Sequence, residues 1–399
     1  VLGAGWYSDF TGYATAWQDQ FGTELSLLAK IVLTYADGTE EVIVSDEGWR
    51  AFNGGPVTSD SFQNGEDYDA RREVSGWSQA RFDDAAWQPA SVEKALPDSV
   101  KIAYYIGSPI RNQLVLKAVS VSEPKPGVFV YDMGQNMVGV PRIRLQGERG
   151  SELTFRYGEM IYPTEVPEDP LPPLTAEIYA ERRGLVYNEN YRGALATDHY
   201  ILKGGGPETF QPHFTFHGFR YIEIHGLAAA IPLDRVEGLV LASVDRQTSG
   251  FETSDPDVNR LYENIVWGQR GNFLSIPTDC PQRDERMGWT GDAQVFVRSA
   301  TYNMNVGPFF TRWFQSVRDI QGEDGSYCDF IPKVGQPPHG SRKGGGAMGW
   351  MEAGVIIPWN AWTYFGNQAL LRETYPGMKA WVDCQRRRDA AGPGPRLIK

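Results

Sequence analysis

At about Ser249 the apolar periodicity of this chain changes from two residues to nearly four, and it does not change back. Upstream, short runs alternate apolar and polar residues between Gly-rich turns. Thr209 to His225 shows this most clearly, setting Phe210, Phe214, Phe216, Phe219, Tyr221, Ile222 and Ile224 against polar neighbours. Downstream, Ser254-Asp255-Pro256-Asp257 reads as a helix start, with Val258, Leu261, Ile265 and Trp267 at near-helical spacing. Further helices are predicted over 292–302, 307–320, 351–365 and 368–385. Strands followed only by helices cannot interleave into an α/β sheet, so they imply β-domains feeding a helical domain. The expected boundaries are 1–112 and 113–248 for two β-domains and 249–399 for the helical one.

Within the first domain, Leu25 to Val44 holds two apolar runs around Ala36-Asp37-Gly38-Thr39, a hairpin signal. In the second, the proline-rich stretch Tyr162 to Ala180 predicts a long exposed loop. After Gln385 the sequence RRRDAAGPGPRLIK predicts an end to helix. Val1-Leu2-Gly3-Ala4-Gly5-Trp6-Tyr7 has no initiator Met and no signal pattern, so the chain is expected to be truncated at both ends. A soluble protein is expected, with a cytoplasmic location favoured over secretion.

The formal charge of −12 disfavours a nucleic-acid or anionic-membrane partner, because like charge repels. No apolar run approaches membrane-span length. Three separated cysteines (Cys280, Cys328, Cys384) form neither a disulfide framework nor a zinc pattern. His213, His217 and His225 fall beside one strand pair, where satisfied structural histidines are expected rather than metal ligands. No metal and no cofactor is expected. The aromatic fraction of 13 % exceeds what a generic core needs and fits both β-sandwiches and carbohydrate stacking.

The chemistry concentrates in TDCPQRDERMGWTGD, from Thr278 to Asp292. Asp279, Arg283, Asp284, Glu285 and Arg286 stand among Cys280, Pro281, Gly288, Trp289 and Gly291. Glycines and a proline around an aromatic and several carboxylates imply a loop folded around a ligand rather than a solvated helix. Carboxylates bind hydroxyls and do acid/base work, and an aromatic ring stacks on a pyranose.

That run resembles the bacterial α-L-rhamnosidases. NGEDYDARRE (64–73), YDMGQNMVG (131–139), FHGFRYIEI (216–224) and VWGQRGNF (266–273) look like further signatures of that family, in family order. The resemblance implies two β-sandwich (jelly-roll-like) domains followed by the first part of an (α/α)6 barrel. The first sandwich would be of carbohydrate-binding type, and is expected to act as a structural sandwich packed on the catalytic domain. About five of the barrel's twelve helices fall in the chain, so the ring would stay open. Apolar faces around Trp313, Phe314, Leu371, Met378 and Trp381 would then be exposed, and association into a homo-oligomer would be compatible with that.

The resemblance implies hydrolysis of terminal α-L-rhamnose from rhamnosylated small molecules or polysaccharides, with inversion. Glu285 matches the general acid, which must be held protonated near neutrality. Asp279, Arg283 and Asp292 match residues holding the rhamnose hydroxyls, and Trp289 an aromatic wall. Trp350 looks like a second pocket aromatic. Glu352 stands where family members often carry Asp, and reads equally as a hydroxyl ligand or a helix N-terminal acid. The general base matches no residue here and is expected beyond the chain end. Two competing readings are a non-catalytic carbohydrate-binding protein with a remnant motif, and another helical-barrel sugar hydrolase or lyase.

Overall fold

The computed structural model describes the chain apart from residues 13–16, 93–99, 101, 104, 166, 168–173, 245, 335–344 and 393–399. The order expected, β-structure and then the start of a helical ring, is the order found. The centre of the β part is a ten-stranded sheet. Its axis is the long strand Val128–Leu145, which pairs antiparallel with His217–His225 on one side and Val236–Ala242 on the other. Alternation along these strands and along Glu152–Gly158, which pairs with His217–His225, sends Tyr131, Ile143, Phe155, Tyr157, Phe219, Ile222 and Ile224 into one core, each almost wholly buried.

Strands Val57–Ser61 and Gly65–Asp69 precede the expected end of the first domain. They nonetheless join this sheet, where Gly65–Asp69 runs parallel to Thr197–Ile201. Beside them the N-terminal region contributes two small two-stranded sheets. The expected hairpin is one of these, Lys30–Thr34 against Glu40–Val44, with all ten residues exposed. Its turn is wider than a two-residue loop. Tyr35 and Thr39 close it by backbone hydrogen bonding, and Gly38 takes the left-handed φ of +83° that the reversal needs.

The stretch 162–180 departs from the exposed loop expected of it. Tyr162 is buried against Tyr179, and Thr175 caps a helix at Ala176–Arg182 through the Ile178 amide. Residues 166 and 168–173 of this stretch lie outside the described part. Proline density read as loop there because the helix is short and follows the prolines.

The helical part comprises Pro256–Asn272, Thr290–Asn303, Gly307–Asp319, Ala353–Phe365 and Gln368–Ala391 among the described residues. Asp255 caps the first, accepting from the Asp257 and Val258 amides. The last runs past Gln385 to Ala391. The predicted end at Gln385 is therefore too early, because Arg387 and Arg388 bond Asp324 and hold the last turns in the helix. Trp313 and Phe314, expected on an open face, are 1 % exposed, because Gly307–Asp319 is packed inside the helical core with Ile357 and Leu370. Met378 and Trp381 are half-buried. The exposed apolar side chains of the helical part instead include Leu261, Val295, Tyr302, Trp359, Trp362 and Tyr375.

Candidate active site

Thr278 to Trp289 carries no regular helix or strand and is fastened along its whole length. Thr278 starts it, its amide and hydroxyl both donating to the Asn272 carbonyl at the end of the preceding helix. At the far end Trp289 forms a backbone bridge with Phe330, and the Thr290 amide donates to the Asp329 carbonyl at 2.8 Å. Between these points the β-sheet holds the loop from behind. Gln282 Nε2 donates to Glu159, and the Asp284 amide to the Tyr191 carbonyl. Gly218 leaves room for Gln282, whose Cβ would stand 2.5 Å from a Cβ placed there.

Arg286 is the strongest fastening. It is 0 % exposed and sits 4.4 Å from the Phe216 ring centroid and 5.5 Å from that of Phe62. Its Nη1 donates to the carbonyls of both residues. Asp9 grips the same segment by accepting from the Phe62 amide and the Ser61 hydroxyl. Burial pushes the Arg286 guanidinium down to about 9, so it stays cationic at neutral pH. Its φ of +52° reverses the local backbone direction.

The structure brings most of the predicted residues together. Asp279, Cys280 and Glu285 each offer an atom within 4.8 Å of the others. The Asp279 carboxyl is pushed above its ordinary range chiefly by burial, helped by nearby Asp292 and opposed by the Cys280 thiol and Arg283. Arg283 Nη2 lies 4.0 Å from Asp279 Oδ2. Glu285 is 2 % exposed, and its Oε1 accepts a hydrogen bond from Trp289 Nε1. The Trp289 ring meets Phe330 at 5.2 Å between centroids. Asp292 stands exposed in the first turn of Thr290–Asn303. Trp350 packs on Gly291, so closely that a Cβ there would lie 2.8 Å from its ring. Glu352 is engaged locally, its Oε2 accepting from the Gly349 amide at 2.8 Å.

Several groups matter here that the sequence did not single out. Cys280 donates to Asp279 Oδ2 at 3.2 Å, and burial beside that carboxylate pushes the thiol up to about 12. The Cys280 thiol is thus spent on Asp279, while Glu285 Oε1 is taken by the Trp289 N–H. Gln294, one turn into the helix, reaches the Gly349 carbonyl beside Trp350. Asp279 Oδ1, Arg283 Nε, Glu285 Oε2, Gln294 Oε1 and Trp350 Nε1 are all buried without a partner among the described residues. Buried polar atoms are nearly always bonded, and these five are groups that a ligand can bond. Arg286 Nε and Nη2, also without a partner among the described residues, lie beside the β-sheet instead.

The three histidines and the signatures at 64–73, 131–139 and 216–224 build the sheet instead, while VWGQRGNF (266–273) ends the helix Pro256–Asn272. His213 pairs with Glu66, His217 with Asp198 and His225 with Glu223, on separate carboxylates. Asp198 also takes the Tyr157 hydroxyl at 2.6 Å and the Glu66 amide at 2.8 Å.

Comparison with known proteins bears on this geometry. The chain matches the α-L-rhamnosidase N-terminal domain over residues 1–113. It matches the bacterial α-L-rhamnosidase concanavalin-like domain over 122–242 and the bacterial α-L-rhamnosidase 6 hairpin glycosidase domain over 246–397. An α-L-rhamnosidase of Streptomyces avermitilis is 41 % identical over 95 % of this chain, and one of Formosa agariphila is 36 % identical over 96 %. The crystal structure of the Streptomyces avermitilis α-L-rhamnosidase complexed with L-rhamnose superposes with a TM-score of 0.84, covering 96 % of this chain and 34 % of that one. The chain thus spans about a third of the length of the curated relatives it matches, 34 % and 38 % respectively. No helix among the described residues is long and apolar enough to cross a membrane.

Proposed function

We propose, since this chain belongs to the bacterial α-L-rhamnosidase family, that it carries the acid side of an inverting site hydrolysing terminal α-L-rhamnose from rhamnosylated small molecules or polysaccharides. The observation that carries this reading is the convergence of orphaned donors and acceptors on one loop that also holds a buried carboxylic acid. A sugar offers hydroxyls that both donate and accept. Asp279 Oδ1 and Gln294 Oε1 would accept from them, and Arg283 Nε and Trp350 Nε1 would donate. Asp292 at the helix start would add a further acceptor, and Glu352 would support the Gly349 turn from outside the pocket. The methyl group of a 6-deoxy sugar suits the flat face of Trp289.

In the reaction Glu285 Oε2–H gives its proton to the glycosidic oxygen as the C1–O bond breaks, that oxygen keeping the bonding pair. Water attacks C1 from the opposite face and passes its proton to a second carboxylate, about 6.5–9.5 Å from the first in an inverting enzyme. We place that base in the part of the relatives' length which this chain does not cover. Glu285 then recovers a proton from solvent.

The test is hydrolysis of p-nitrophenyl α-L-rhamnoside by the complete gene product, with the anomer of released rhamnose read by NMR. Initial release of the β-anomer supports the reading. Release of the α-anomer overturns inversion. Rhamnose binding without turnover would make this a carbohydrate-binding protein instead.

A further inference from the structure

Trp289 is an aromatic wall by its position, yet its indole N–H is directed at Glu285 Oε1. Resting on the reading of Glu285 as general acid, we propose that Trp289 is a positioning residue for it. By occupying Oε1, Trp289 confines the acidic proton to Oε2 and fixes the plane of the carboxyl.

An indole N–H only donates, so it can bond an unprotonated oxygen and never a hydroxyl hydrogen. A proton placed on Oε1 would make that oxygen a much poorer acceptor for the N–H than a carbonyl oxygen is. With Oε1 as the carbonyl oxygen, the same hydrogen bond persists in the acid and in the carboxylate. The carboxyl therefore need not rotate as it loses its proton. Oε2 is left as the atom that holds the proton, and it is the buried oxygen with no partner among the described residues.

The indole is held independently of Glu285, which a positioning group requires. Its backbone bridges Phe330 and its ring meets the edge of Phe330. The next residue is tied through its amide to Asp329. No other group competes for Oε1 among the described residues. The Cys280 thiol donates to Asp279, Arg283 leans toward Asp279, and Arg286 points the other way into the β-sheet.

Trp289→Phe keeps an aromatic face and the Phe330 contact but removes the N–H. It is assayed in the complete gene product on α-L-rhamnosides whose leaving groups run from dinitrophenyl through nitrophenyl to alkyl. Protonation of the leaving oxygen matters more as that group becomes poorer. The expected result is a loss of kcat on the alkyl rhamnoside about tenfold or more beyond the loss on the dinitrophenyl one. The dissociation constant for free rhamnose, measured calorimetrically, stays within about threefold, which also shows that the variant is folded. An equal loss across the series, or a loss confined to rhamnose affinity, would overturn the proposal and leave Trp289 as a wall. Glu285→Gln run in parallel separates the two levels. If that variant shows no dependence on leaving group, Glu285 is not the acid and the role of Trp289 falls with it.

Discussion

Replacing Arg286 by Met tests what a buried guanidinium contributes to this fold. The depression from 12.5 to about 9 corresponds to about 5 kcal/mol of penalty on the charged form, at about 1.4 kcal/mol for each pH unit. Arg286→Met keeps most of the volume and removes that penalty. Against this stand the hydrogen bonds to the Phe62 and Phe216 carbonyls. Losing a charged donor and leaving a buried acceptor bare costs about 2–3 kcal/mol at each. The ring contacts with Phe216 and Phe62 add about 1–2 kcal/mol when desolvated. The losses exceed the relief by about 2 kcal/mol, which for a chain of this size lowers Tm by about 2–3 °C. Calorimetric melting of the purified protein measures it. A Met variant as stable as the parent or more stable would show that desolvation outweighs every contact the guanidinium makes. Arg286 would then be retained for orientation alone.

Asp279→Asn should alter the pH dependence of stability. A carboxyl raised in the folded state binds more protons folded than unfolded above 3.8, so parent stability falls as pH rises from there through the elevated value. The Asn variant should match the parent in urea midpoint at pH 3.5 and exceed it at pH 7; equal midpoints at both would refute this. Asp198→Ala strips the acceptor from the Tyr157 hydroxyl, the Glu66 amide and the His217 ring. It should cost about 3–5 kcal/mol in denaturant unfolding, with rhamnose affinity of the folded protein unchanged within about twofold. Gly291→Ala forces the Trp350 ring aside and should weaken rhamnose binding by about tenfold, or about 1.4 kcal/mol. Unchanged affinity by calorimetry would remove Trp350 from the pocket.

What the sequence revealed was whatever repeats locally. The stripe Phe310, Trp313, Phe314 and Val317 announced a helix, and that helix is Gly307–Asp319. It did not reveal that both tryptophan and phenylalanine would be covered, since covering depends on Ala353–Phe365 and Gln368–Ala391 folding back over them. The density of carboxylates between Thr278 and Asp292 was legible as a ligand site because glycine and proline excluded a plain helix. The role of Arg286 was not, for its partners lie 224 and 70 positions away. In sequence it was one more charge in a charged run. The same holds for the last helix, which continues through three arginines because Asp324, 64 positions before Arg388, receives two of them, Arg387 and Arg388. The parallel pairing of Gly65–Asp69 with Thr197–Ile201 lacks any local signal, since no turn connects those strands.

The motif's order of residues follows from its place between two bodies. Glu285 and Arg286 are adjacent, and both are buried, yet they serve opposite sides of the loop. The left-handed φ of Arg286 turns the chain so that the guanidinium enters the β-sheet while the carboxyl stays with Asp279 and Trp289. The position of the proposed acid is thereby referred to Phe62 and Phe216, and through Asp9 to the segment that holds Phe62. A helical domain alone could supply Trp289, Asp292 and Trp350, because each rests on helix starts and on Phe330 or Gly291. It could not supply the back wall made by Phe62, Glu159, Tyr191, Phe216 and Gly218. This gives the β-part a role in the chemistry that needs no sugar bound to it. On the proposed reading it is the surface against which Glu285 is held, and a loop of twelve residues without helix or strand requires such a surface to fix the direction of one carboxyl oxygen.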